Sequence, residues 1–152
     1  MPTDPMQLLL DERDIGRLMV DYCRFVDFGE AGRIPALFTD DGVWQAAGVD
    51  CRGREAMAAM FAKRETLSRR TSRHVITNVS IDVTGDEATA VSYLINYRHD
   101  TDDDSPAVTP APIADPKFMG EYHDTFRRTA EGWRFASRRC DLAFLRRAAP
   151  RA

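Results

Sequence analysis

Two short turn sequences, Thr84-Gly85-Asp86-Glu87 and Ala130-Glu131-Gly132, constrain the chain more than anything else in it. Each separates two runs of strand character: residues 74–83 from 89–98, and residues 118–128 from 133–142. In the first run Val75, Val79, Ile81 and Val83 are β-branched, a class that suits the pleated backbone. Tight turns between such runs predict antiparallel hairpins.

The first half has another period. Ile15, Leu18, Met19, Tyr22 and Val26 fall at i, i+3, i+4, i+7 and i+11, one face of an amphipathic helix. It is expected to start at Asp11, with Asp11 and Glu12 in a first turn whose dipole favours anions. Residues 1–10 read as a loose lead-in. Gly29, which accepts the left-handed conformation after a last turn, is the expected stop. Residues 33–38 read as a short second helix with Pro35 in its first turn. Residues 39–42 read as a turn, 43–46 as a short strand and 48–52 as another turn. A third helix follows Gly53, with Ala56, Met57, Met60, Phe61 and Arg64 along one face, and the polar residues 68–72 break it. Helices first and strands after predict an α+β fold, one domain over residues 1–152: a curved antiparallel sheet wrapped against about three N-terminal helices. A bent sheet and a long helix enclose a cone, and its wide end is a natural small-molecule cavity.

Between the hairpins lies an insert, residues 100–117. It holds Asp100, Asp102, Asp103 and Asp104, then Pro106, Pro110, Pro112 and Pro116. Prolines at this density exclude a strand and oppose a helix. So long a loop is either functional or disordered. It reads as a mobile flap over the pocket mouth or as plain disorder. As a calcium loop it lacks the glycine and the terminal glutamate.

Formal net charge is −3, and each arginine pair (Arg69-Arg70, Arg127-Arg128, Arg138-Arg139, Arg146-Arg147) has acidic residues nearby. These read as solvated, paired faces, so no nucleic acid partner is expected. No apolar run approaches the roughly 18 residues of a membrane span. The first residues carry no basic segment followed by an apolar core, so no membrane partner and a cytoplasmic location are expected. Cys23, Cys51 and Cys140 are odd in number and form no C-x-x-C pair, which argues against a disulfide framework. His74, His99 and His123 show no metal-ligand spacing.

Taken in order, several segments resemble the SnoaL-like branch of the nuclear-transport-factor-2-like (NTF2-like) superfamily. They are Tyr22-x4-Asp27, Phe38-Thr39-Asp40-Asp41-Gly42-Val43-Trp44, Gly53-Arg54-Glu55-Ala56-Met57, Arg73-His74-x3-Asn78, Gly120-x-Tyr122-x-Asp124 and Gly132-Trp133-Arg134-Phe135-x2-Arg138. The pattern is nearest to the scytalone dehydratase and bile acid dehydratase type. The resemblance implies an NTF2-like cone. It also implies a cofactor-independent lyase (dehydratase) or isomerase/cyclase acting on a hydrophobic cyclic small molecule of polyketide- or steroid-like kind. Those dehydratases pair a helix-one aspartate with a strand histidine beside a helix-one tyrosine. The matching residues are Asp27, His74 and Tyr22. Bile acid dehydratases add an arginine late in the last strand, which Arg138 or Arg139 matches. Scytalone dehydratase has a second histidine on the following strand, and His99 lies near that position. Trp44, as cavity wall, and Asn78, as a strand polar residue, complete the candidate substrate contacts; Asn78 and Asn96, both strand polar residues, can face either the pocket or solvent. Sheets of this family commonly pair face to face, which implies a homodimer. The superfamily also holds non-catalytic binding modules and structural subunits of oxygenase-type complexes, so that class is the alternative.

Elimination of water beside a carbonyl needs a base for the carbon acid and an acid for the departing hydroxyl. A histidine serves both, and a carboxylate on its other nitrogen fixes the tautomer. Each residue also has a plainer explanation. His74 can be a satisfied histidine at a strand start, Asp27 a polar residue at a helix end, and Tyr22 part of the core. Tyr22 and Asp27 are about 140° apart on an ideal helix, flanking Cys23 and Val26. The functional reading turns on whether Asp27 and His74 meet.

Overall fold

The computed structural model describes residues 4–102, 105–112 and 115–147. Asp4 starts the first helix: its side chain accepts from the Met6 amide at 3.1 Å, and Pro5 stands in the first turn. Helix α1 therefore runs Pro5–Asp27, well before Asp11. Asp11 is not a first-turn anion but a buried mid-helix residue. Its carboxylate accepts two bonds from Arg128, both at 2.8 Å, and one from Trp133 Nε1 at 3.0 Å. Gly29 follows the helix at φ +77°, where a β-carbon would be strained.

A 3-10 helix, Ala31–Leu37, takes the place of the expected helix over 33–38, and Pro35 lies inside it. Proline has no N–H to continue an α-helical ladder, which suits a short, tight segment. Strand β1 is Phe38–Ala46 and strand β2 is Val49–Arg52. Residues 39–42 and 49–52, expected as turns, are thus strand. Asp40, Asp41 and Gly42 have turn-like composition, yet they form an irregularity against the last strand, where pairing steps from Phe38–Phe135 to Val43–Ser137. The real turn is Ala47-Gly48, both at positive φ as a two-residue hairpin requires.

Helix α2, Arg54–Glu65, follows Gly53 and buries Met57 and Phe61. Strands β3 (Arg70–Thr84), β4 (Glu87–Asp100), β5 (Phe118–Thr129) and β6 (Gly132–Leu145) complete the molecule. The sheet order is β2-β1-β6-β5-β4-β3, antiparallel except where β1 meets β6.

Extra residues bend this sheet. On β3 the pairing steps from Thr77–Tyr93 to Ser80–Val91, with Asn78 at φ +51°. Before this bulge His74 and Ile76 face the core; after it Ile81 and Val83 do. Val75 and Val79 face outward, 45% and 46% exposed, so the β-branched alternation does not mark one buried face. On β6 a second irregularity falls between Phe135 and Ser137. Such bulges kink a strand and raise its twist, curling the sheet around α1. Inside the narrow end Phe135 lies between Phe38 and Phe126, with ring centroids 5.0 and 4.8 Å away. Each such ring contributes about 1.5–3 kcal/mol by leaving water.

Residues 107–112 of the insert lie against the outer side of the sheet, and of its described residues Lys117 alone lines the cone. Ala107 N–H donates to Ser68 O at 2.9 Å, and Thr71 Oγ1 donates to Val108 O at 3.2 Å. Residues 109–112 share a surface hollow with the outward-facing Val75, Tyr97 and His99. Asp103 and Asp104, residues 1–3 of the lead-in and the end of the basic tail from residue 148 lie outside the described residues. Among the described residues no helix is long and apolar enough to cross a membrane.

Candidate active site

Helix α1 ends over the start of β3, and this crossing brings Asp27 onto His74. Asp27 Oδ1 lies 2.7 Å from His74 Nδ1, and Asp27 Oδ2 accepts the His74 backbone N–H at 2.7 Å. Ser72 Oγ donates to Asp27 Oδ1 at 2.8 Å. These donors offset the cost of a carboxylate at the negative end of a helix dipole. The side chains of His74 and Asp27 are only 14% and 5% exposed. A carboxylate at Nδ1 fixes the hydrogen there and leaves a lone pair on Nε2. Asn96, from β4, places its Nδ2 3.1 Å from that nitrogen. Among the described residues its own Oδ1 is buried without a protein partner.

His74 and Asn96 open into a cavity of about 450 Å³ at the wide end of the cone. Val26, Met60, Phe61 and Phe118 give it apolar walls. Tyr22 lines it from the middle of α1, and Trp44 Nε1–H donates to Tyr22 Oη at 2.8 Å. Among the described residues no protein acceptor takes the Tyr22 hydroxyl proton. Burial pushes that hydroxyl well above the ordinary tyrosine range, so it stays a donor. Tyr122, also on the wall, is shifted the same way by burial.

The two candidate arginines separate cleanly. Arg138 is sealed from solvent and holds Asp124 through two bonds of 2.8 and 2.7 Å. Its guanidinium lies 4.4 Å from the Tyr22 ring, 4.0 Å from Tyr122 and 4.4 Å from Phe135. Burial opposes its charge, but Asp124 overrides that and holds it above the usual arginine value. Arg138 therefore stands behind the tyrosine wall rather than on the cavity surface. Arg139 points to the outer face, half exposed, and pairs with Asp141 at 2.9 Å.

Two further sequence candidates lie elsewhere. Asn78 is exposed on the β3 bulge, away from the cavity. His99 lies on the outer side of β4, in the hollow beside residues 109–112. Parity explains both: on β4 the inward positions are even, as Asn96 and Arg98 show, and on β3 the bulge removes Asn78 from either face. Sequence reasoning left out Ser72 and Lys117 altogether, and it left Asn96 open between pocket and solvent. Arg64 did carry a signal, a cation on the apolar face of α2.

The arrangement can move a proton. His74 offers a basic nitrogen to the cavity, Asp27 can stabilise the imidazolium, and Tyr22 can donate to a developing oxyanion. Among the described residues no three His, Cys, Asp or Glu side chains converge as a metal site needs.

Residues 7–139 match the family of the SnoaL-like domain. No curated protein sequence matches the chain at a level that establishes kinship. Solved structures share its fold. A scytalone dehydratase candidate from Novosphingobium aromaticivorans is 25% identical, with 95% of this chain and 91% of that one aligned at a TM-score of 0.75. An NTF2-like protein with a cystatin-like fold from the same organism is also 25% identical, covering 94% and 92% at 0.75. LinA is 16% identical, covering 95% and 94% at 0.76, a likeness of fold alone.

Proposed function

The chain belongs to the SnoaL-like domain family, and from that premise we propose that it is a cofactor-independent lyase of dehydratase type, or an isomerase or cyclase using the same acid–base chemistry. Its substrate is a hydrophobic cyclic small molecule, polyketide- or steroid-like, bound in the cone. One observation carries this reading: His74, on the wall of a largely apolar cavity, meets Asp27 behind it within hydrogen-bond distance.

In the dehydration, His74 Nε2 removes a proton from the carbon beside the substrate carbonyl. The electron pair moves into the carbonyl, and the Tyr22 hydroxyl donates to the resulting enolate oxygen. Asp27 remains ionised and stabilises the imidazolium. The enolate then expels the β-hydroxyl, which takes the proton from His74 and leaves as water. Asn96 holds Nε2 in the empty site and yields it to substrate. Trp44 and Arg138 are positioning residues: one fixes the Tyr22 oxygen, the other packs its ring.

The test is turnover of hydroxylated cyclic ketones by wild type and His74→Ala. A loss of at least about a hundredfold is expected; unchanged turnover would overturn the reading. The protein is further proposed to be a homodimer, joined through the outer sheet face where Val75, Val91, Tyr93 and Tyr97 are exposed. Its mass in solution decides that. A different protein copurifying in fixed ratio would instead favour a structural subunit.

A further inference from the structure

The cavity wall carries more positive charge than its own carboxylates neutralise. Arg64, Arg70, Arg98 and Lys117 all line it. Arg70 and Arg98 share one carboxylate, Asp100: Arg70 Nε lies 2.7 Å from Oδ1, and Arg98 Nε lies 2.9 Å from Oδ2. Asp27 is committed to His74 and Ser72. Among the described residues no carboxylate stands within ion-pairing distance of Arg64 or Lys117.

Arg64 is half-buried at the end of α2. One of its nitrogens spans Val26 O at 3.1 Å and Ser72 Oγ at 3.3 Å, and Ser72 in turn touches Asp27. The guanidinium is thus anchored two hydrogen bonds from the Asp27–His74 pair, through Ser72. Its other N–H groups have no protein acceptor among the described residues. Burial, with Arg70 near, pushes it below the ordinary arginine value, against the opposing pull of Asp27 and Asp100. A desolvated fork of donors in an apolar cavity is a poor state for the empty protein and a good receptor for a planar anion.

We propose that the substrate bears a carboxylate, and that Arg64, with Lys117, binds it inside the cavity. This inference rests on the reading of the cavity as the active site. A carboxylate suits these apolar walls better than a phosphate dianion, which is costlier to strip of water. The anchored arginine also sets the distance between the anionic group and the carbon presented to His74. Arg64 then selects among ring substrates by their acid group.

The experiment compares two isosteric probes, 2-naphthoate and 2-naphthamide, by calorimetric titration of the whole chain. Wild type is expected to bind the carboxylate at least about tenfold more tightly, with a preference that shrinks as salt rises. Arg64→Gln should abolish the preference, Arg64→Lys retain part of it, and Lys117→Ala weaken it about threefold. If Arg64→Gln does not fold, the wild-type pair of titrations still decides. Equal affinity for the two probes, or no binding of 2-naphthoate at millimolar concentration, overturns the inference. The same titrations on His74→Ala separate the two claims. A carboxylate preference kept there, with no turnover of any ketone by the wild type, leaves the binding site standing and removes the catalytic reading.

Discussion

Asp27 holds His74 at two points, ring and backbone. One carboxylate oxygen meets Nδ1 and the other takes the amide N–H of the same residue, each at 2.7 Å. Ring orientation and strand position are thereby fixed by a single side chain on another element. In Asp27→Asn, one of the two oxygens becomes an NH₂ group, which must face a donor. Turnover should fall at least about a hundredfold, and unfolding in urea should show a loss of about 1–3 kcal/mol. An active Asp27→Asn enzyme would refute the role assigned to the carboxylate.

Tyr22→Phe separates chemistry from packing. Among the described residues the hydroxyl makes one protein hydrogen bond, as acceptor from Trp44. Stability should change by only about 1 kcal/mol, while kcat falls about tenfold to a hundredfold with little change in KM. A KM effect alone would place the tyrosine in binding rather than in catalysis.

Asp124 and Arg138 form a pair with no exposed side-chain surface. Asp124→Ala leaves a buried cation and should cost about 3–5 kcal/mol in denaturant unfolding. The double variant Asp124→Leu with Arg138→Met should recover most of that. Its turnover should stay low, because the cation against the Tyr22 ring is gone. Recovery of both would remove Arg138 from any positioning role.

The Asp11 carboxyl is held well below its ordinary range, chiefly by the Arg128 guanidinium. The folded state thus binds this proton less readily than the unfolded chain. The resulting stability is complete above the unfolded carboxylate pKa of about 4 and disappears as pH falls through the folded value. Asp11→Asn should cost roughly 2 kcal/mol at pH 7. The gap to wild type should narrow steadily below about pH 4. A gap independent of pH would mean that shape, not charge, is lost.

A β-carbon on Gly120 would lie 2.0 Å from the Asp141 carbonyl oxygen across the β5–β6 pair. Gly120→Ala must push the strands apart and should cost at least about 2 kcal/mol by thermal unfolding. Lys117 and Phe118, just upstream on the cavity wall, should lose ligand affinity with it.

Local patterns carried the helices and hairpins, because their causes are local. Apolar spacing marks α1 from Ile15 onward, and Gly85 and Gly132 mark turns. The true start of α1 is also written locally, in Asp4-Pro5, but the apolar period begins only at Ile15. Asp11 could not be placed, since its partner, Arg128, is remote in sequence and meets it only in the closed sheet. The same limit governs the site. Simple alternation from Phe135 would turn Arg139 inward; the irregularity at Ala136 turns Arg138 inward instead. Asn78 was lost to the β3 bulge in the same way. Such irregularities follow from pairing with a neighbour, which no short window of sequence displays. Asp27, His74 and Tyr22 sit on regular segments, yet helical phase alone sets Tyr22 and Asp27 about 140° apart; the family resemblance named them, and Asp27 reaches the cavity only through His74.

The single-residue bulges of β3 and β6 have one more implication. A bulge inserts length without changing which residues stand opposite each other beyond it: Ile81 faces Ala90 as it would in an unbroken ladder one residue shorter. Deleting or adding a residue at Asn78 or Ala136 therefore alters how tightly the sheet curls and leaves the wall chemistry in place. The molecule has a size adjustment separate from its chemistry. One residue gained or lost at such a point would change the width of the chamber without replacing any side chain of the Asp27–His74 pair.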